Sequence, residues 1–184
     1  MAKIVVVYHS GYGHTERVAQ TLAAAAQAQL VKINEEGNIA DTDWDVLNQA
    51  DAIIMGSPTY MGNVSWQFKK FADASSKAWF TRAWSDKLFA GFTNSASLNG
   101  DKQVTLQTLQ TLASQHGGIW ISLGLPPSNS KAATRADLNN LGGSVGLLVQ
   151  SPADASTEEI PSGDLATATQ FGERIAQITA RYTR

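Results

Sequence analysis

The run Ile4-Val5-Val6-Val7-Tyr8, followed after one residue by Ser10-Gly11-Tyr12-Gly13-His14-Thr15, decides how this chain is read. Five consecutive apolar residues, mostly β-branched, have the length and composition of a strand buried on both faces. The strand stops at a loop of hydroxyls and glycines that enters a helix at Thr15. The first amide groups of a helix lack intrahelical acceptors, and the helix dipole adds positive potential at the same point. Hydroxyls there donate to an anion, and glycine lets the backbone curl into a donor nest. The loop contains no lysine, and anion binding of this kind needs none.

Outward from this point, short β-branched runs alternate with amphipathic helical patterns, the signature of βαβ units and a parallel sheet. The candidate strands are Lys3 to Tyr8, Gln29 to Ile33, Ala52 to Ser57, Leu88 to Thr93 and Ile119 to Leu123. Helix faces recur at spacings of three or four: Val18, Leu22 and Ala25; Val64, Phe68 and Phe71; Leu109, Leu112 and His116. Asp41 to Ala50 reads as a shorter helix. Leu165, Ala168, Phe171, Ile175, Ile178 and Tyr182 mark a long C-terminal helix covering the sheet from one side. Gly124 to Gly163 resists the pattern: it is rich in Gly, Pro, Ser and Asn, with one apolar run, Val145 to Val149. So long a connection is expected to flank the site or a neighbouring subunit.

Length and charge narrow the function. The 184 residues suit one domain, 1–184, and a net charge of −2 supplies no basic field for nucleic acid. With no cysteine there is no thiolate chemistry, so redox work must be borrowed from a cofactor. The longest apolar runs have strand length and no secretory pattern precedes the first strand, which predicts a soluble, cytoplasmic protein without stable membrane insertion. His9, His14 and His116 are too scattered for a metal cluster, and no metal is expected. A Gly-x-Ser-x-Gly elbow and a carboxylate pair at the loops are both missing, which argues against hydrolase chemistry. A phosphoryl-accepting receiver domain needs acidic residues after the first strand and an aspartate ending the third. Those places hold His9-Ser10 and Ser57-Pro58.

Open parallel sheets bind ligands at the carboxyl ends of their strands, where the strand order reverses. Three neutral loops are predicted there: the first quoted above, then Ser57 to Asn63, then Thr93 to Gly100. Hydroxyl, amide, glycine and aromatic residues of this kind suit a flat ring with polar edges, with Tyr60 and Met61 offering apolar surface to its face. Trp44 and Trp120 read as core, Trp66 as packing for its helix, and Trp79 and Trp84 as the rim of a pocket. His14 reads equally as a solvated first-turn residue and as a ligand contact. For His116, placement at a helix C-terminus is the competing explanation.

Together these segments resemble the WrbA family of flavodoxin-like NAD(P)H:quinone oxidoreductases over nearly the whole chain. The resemblance rests on Met1 to Tyr8, Ser10 to Thr15, Asp51 to Ser65 and Gln115-His116-Gly117-Gly118. The most telling part is the Pro58-Thr59-Tyr60 turn with Gly62-Asn63 opening a helix. The resemblance implies a flavodoxin-like three-layer α/β/α sandwich with a five-stranded parallel sheet in the order 2-1-3-4-5. It also implies FMN, reduced by NADH or NADPH. Carried over by position, Ser10, Tyr12, Gly13, His14 and Thr15 surround the phosphate. Pro58, Thr59, Tyr60, Met61 and Gly62 line the ring system, and Ser95, Ala96, Ser97, Asn99 and Gly100 hold its edge. His116 becomes the catalytic residue near the flavin, Tyr12 a nicotinamide contact and Trp79 a substrate contact.

The chain departs from the family pattern in three places. Leu98-Asn99-Gly100-Asp101-Lys102 replaces a glycine-rich stretch followed by glutamine-glutamate, Tyr60 stands where arginine is frequent, and the insertion between Ile33 and Trp44 is short. The expected activity is transfer of two electrons from NAD(P)H to a quinone by a homodimer or homotetramer. The alternative is a flavodoxin-type electron carrier without a small-molecule substrate. A third possibility is an interaction module that binds no flavin.

Overall fold

The structure, a computed structural model, describes residues 2–183; Met1, the first of the family-matching residues, lies outside them. Strand β1 (Ile4–His9) is buried along its whole length because its two faces feed two separate cores. Ile4, Val6 and Tyr8 pack with Val18, Leu22, Phe171 and Ile175. Val5 and Val7 face the other way, toward Leu47, Phe68, Phe71, Leu106 and Leu109. Helices α1 (His14–Ala26) and α6 (Ser162–Tyr182) thus cover one face of the sheet. Helices α2 (Asp41–Gln49), α3 (Trp66–Ala74) and α5 (Lys102–Gln115) cover the other. The short α4 (Ser76–Phe80) follows α3.

The parallel sheet runs β2 (Gln29–Ile33), β1, β3 (Ala52–Tyr60), β5 (Leu88–Ser95), β6 (Ile119–Trp120), and a two-residue β4 (Asn63–Val64) pairs antiparallel with β3. Without β4 this is the 2-1-3-4-5 order and the flavodoxin-like sandwich of the sequence reading. Neighbours β1 and β3 continue into opposite halves of the sheet, so their carboxyl ends flank the point where the order reverses.

Two expectations are corrected. The fifth strand is split: β6 pairs with Leu88 and Phe89, the chain then leaves the edge, and β7 (Leu147–Gln150) takes its place beside Phe92 to Ser95. Pro126 and Pro127 offer no amide hydrogen to a ladder, and the break precedes them. Val64 belongs to β4 rather than to a helix, because the Ser65 hydroxyl caps α3 by accepting from the Phe68 amide at 3.3 Å. The long C-terminal helix is present as α6. It crosses α1 closely: a Cβ on Gly172 would lie 2.8 Å from the Leu22 carbonyl.

Candidate functional site

Helix α1 begins without a side-chain cap. Its N-cap is Gly13, at φ 89°, a left-handed conformation that glycine adopts without strain. The Gly13 amide donates to Ser10 Oγ at 3.1 Å, and the first helical bond runs from the Arg17 amide to the Gly13 carbonyl at 2.9 Å. The amides of His14, Thr15 and Glu16 have no acceptor among the described residues. Three free donors at the positive end of a helix, beside the Ser10 hydroxyl, have the geometry that suits an anion.

This helix end opens into a cleft of about 360 Å³ lined by Ser10, Tyr12, His14, Thr15, Pro58, Thr59, Tyr60, Asn94, Ser95, Ala96, Ser151 and Ala153. All three predicted loops therefore reach one cleft. Its rim is aromatic: Tyr12 is 79% exposed and meets Tyr60 edge to face, with ring centroids 6.3 Å apart. Burial, with Tyr12 alongside, pushes the Tyr60 phenol above its ordinary value. The second loop is held from beneath, where Thr59 Oγ1 lies 2.8 Å from the hydroxyls of both Thr93 and Thr105. Met61 and Gly62 carry the loop through positive φ and away from the cleft, which leaves Met61 fully exposed.

The His14 imidazole donates from Nε2 to the Ala155 carbonyl at 2.8 Å. It ties the segment after β7 to the phosphate-type loop. The long Gly124 to Gly163 connection thus supplies one wall of the cleft, through Ser151 and Ala153. Sequence reasoning missed both, and it missed Asn94, whose Nδ2 donates to Ser151 Oγ at 3.0 Å. The signal was Val145 to Val149: read as a strand, that run delivers Ser151 to the carboxyl edge. Ser97, Asn99 and Gly100 lie in the third loop but outside the cleft lining.

His116 and Trp79 are not brought to the cleft. Helix α5 has 14 residues and spans about 21 Å, so a chain that leaves the cleft at Lys102 reaches His116 near the opposite end of the sheet. There the Ser75 hydroxyl donates to the Ala72 carbonyl at 2.6 Å and accepts from His116 Nε2 at 2.9 Å. The imidazole packs on Trp84 with centroids 4.4 Å apart. Trp84, expected at a pocket rim, is fully buried and gives its indole N–H to Asn48 Oδ1 at 2.8 Å. Trp79 sits half-exposed on α4, in the same distal region. Within one chain, neither His116 nor Trp79 lines the cleft.

His116 Nδ1 is buried with no partner among the described residues. Burial holds the ring below its ordinary pKa, and His9 is lowered in the same way by burial and by Lys32. Between the lowered folded value and the unfolded value near 6.5 the unfolded chain binds more protons, so stability is complete above this window and falls as pH drops through it. The urea midpoint is therefore expected to be lower at pH 5.5 than at pH 7.5. His116→Gln should shrink that difference; an unchanged difference contradicts the assignment.

The class is set by this arrangement: a flavodoxin-like protein with a neutral anion cradle at the switch point of its sheet. The family described as NADPH-dependent FMN reductase matches residues 2–123. Flavodoxin FldP of Pseudomonas aeruginosa is 65% identical over 178 residues, 97% of each chain. The NAD(P)H dehydrogenase (quinone) of Chromohalobacter salexigens is 30% identical over 203 residues, 98% of each chain. A crystal structure of a WrbA-like flavodoxin from Agrobacterium tumefaciens shares 50% identity at a TM-score of 0.82, covering 98% of this chain and 99% of that one. The chain belongs to the NADPH-dependent FMN reductase family, in its WrbA-type, flavodoxin-like branch. Among the described residues no helix is long and apolar enough to cross a membrane.

Proposed function

We propose that the chain is an FMN-dependent oxidoreductase moving two electrons from NADH or NADPH to a quinone-like acceptor. The reading includes a single domain over 1–184 acting in the cytoplasm as a homodimer or homotetramer, which light scattering tests. The observation that carries it is the run of acceptorless amides at His14, Thr15 and Glu16, opening into a cleft with an aromatic rim.

The residues fit FMN. A phosphate matches the free donors and the Ser10 hydroxyl without needing a cation. A planar ring with polar edges matches a cleft walled by Pro58, Tyr60, Ser95 and Ala96. When bound, FMN supplies the two-electron exchange, so no side chain here has to do covalent chemistry. The protein's part is to seat and orient. Gly13 turns the chain so that the Ser10 hydroxyl and the amides of His14, Thr15 and Glu16 would hold the anionic end, Thr59 fixes the turn that carries Pro58 and Tyr60, and Asn94 with Ser151 closes the wall. Tyr12 stands at the mouth as the nicotinamide contact. The third loop brings no aromatic ring to the cleft, which leaves access for a second flat molecule.

A second reading, an electron carrier with no small-molecule substrate, is supported by the name of the 65% identical relative and by the distance of Trp79 and His116 from the cleft. One experiment separates them. Apoprotein reconstituted with FMN is mixed with NADH or NADPH and benzoquinone. Multiple turnovers support the enzyme; retained FMN without turnover supports the carrier; failure to bind FMN removes both.

A further inference from the structure

The three loops carry no charge aimed at a ligand, yet a lysine lies directly beneath the third. Lys102, the first residue of α5, is 1% exposed. Its ammonium donates to the carbonyls of Ser97 at 2.5 Å, Leu98 at 3.0 Å and Asn99 at 3.5 Å. The preceding carbonyl, of Ala96, accepts from Gln150 Nε2 at 2.7 Å. Four successive carbonyls are thus claimed by the protein. The amides of Ala96 to Asp101 have no acceptor among the described residues. A loop with its carbonyls engaged and its N–H groups free presents donors to whatever lies beside it.

The backbone accepts local strain to reach this state. Gly100 and Asp101 both have φ near 53°, and a Cβ on Gly100 would lie 2.2 Å from Ser95 Oγ. Arg135 and Asp164 lie beside Lys102 within the protein, and the exposed Asp101 carboxylate precedes it in the chain. Asp164, 3% exposed, accepts from Arg135 at 2.5 Å and from the Gln150 amide at 2.9 Å. Arg135 and Asp164 pair with each other, which leaves the Lys102 ammonium to the loop carbonyls. Burial lowers Lys102 to about 8, with Asp164 opposing that shift and Arg135 adding to it, so the ammonium stays protonated at neutral pH.

We propose that Lys102 is a positioning residue of the cleft: its buried ammonium gathers the Ser97, Leu98 and Asn99 carbonyls inward, holds the loop so that its Ser95-Ala96 edge faces the ligand, and places a positive charge beneath that edge. The inference rests on FMN occupying the cleft. It identifies what fixes the third loop in this chain, where Lys102 stands in the stretch that departs from the family pattern.

The test compares parent, Lys102→Met and Gln150→Leu by titrating each apoprotein with FMN and with riboflavin. Lys102→Met is expected to weaken both ligands by the same factor, about tenfold to a hundredfold, as loss of charge-assisted hydrogen bonds predicts. The shared factor arises because the loop serves the ring and not the phosphate. Amide exchange should quicken at Ala96 to Asp101 while β5 stays protected. The midpoint potential of bound FMN should fall, because a cation favours the more anionic reduced form. Gln150→Leu should weaken both ligands about twofold to tenfold and leave the potential in place. If Lys102→Met does not fold, Gln150→Leu decides, and parental affinity in that variant overturns the proposal. A folded Lys102→Met with parental affinity and potential overturns it too. A parent chain that binds neither flavin removes the FMN reading and this inference with it.

Discussion

Ser10→Asp is expected to lower affinity for FMN by about a hundredfold or more while leaving riboflavin binding nearly unchanged. Ser10 Oγ already accepts from the Gly13 amide, at the mouth of the anion site. A carboxylate in its place takes the same donor and sets a negative charge against the phosphate. Two unit charges 4 Å apart repel by about 4 kcal/mol at an effective dielectric of 20. Salt and partial exposure reduce this, and about 3 kcal/mol remains sufficient for the hundredfold. The same substitution should leave the apoprotein as stable as the parent or slightly more so, since an acid at a helix N-terminus adds about 0.3–1 kcal/mol. Opposite signs for stability and binding distinguish anion repulsion from damage to the fold. Calorimetric titration of both ligands, with thermal melts of the apoprotein, reads both quantities. If Ser10→Asp binds FMN as the parent does, the phosphate is not seated at α1.

The sheet was legible because burial on both faces forces continuous apolar strands, and β1, β3 and β5 all satisfy that pattern. The anion cradle was legible for a similar reason: free amides at a helix start are a local property of Gly11 to Thr15. What failed was non-local. Ile119 to Leu123 has the composition of a strand, but only Ile119 and Trp120 pair, because β7, which begins 27 residues after β6 ends, returns to take the rest of the edge. Ser151 and Ala153 reach the cleft only through that return. The distance between His116 and the cleft of the same chain was not legible either, because a sequence match carries no distance, whereas a 14-residue helix does. Lys102 was passed over because charged residues are usually solvated, and nothing in Leu98 to Lys102 announces three carbonyls curled around one ammonium.

Gly56→Ala is expected to destabilise the chain by about 3 kcal/mol, the upper end for adding a methyl to a packed core. Gly56 and Phe92 face each other in the β3–β5 register. A Cβ at Gly56 would lie 2.1, 2.4 and 2.7 Å from three atoms of the Phe92 ring. The ring cannot swing clear, because Phe92 is completely buried among the residues that pack β1, α1 and α6. For a chain of this length about 3 kcal/mol corresponds to a fall of roughly 6–12 °C in Tm. Phe92→Ala should also destabilise, by about 3–5 kcal/mol, through the cavity it leaves. Combining the two puts the new methyl into that cavity, so the double variant should be clearly more stable than the sum of the singles predicts, as contacting residues in a cycle behave. Strict additivity in urea unfolding shows that the ring and the glycine are not in contact. The strand pair at stake carries Pro58 and Asn94 to the cleft, so weakened FMN binding in Gly56→Ala, recovered in part by the double variant, would connect this packing to the site.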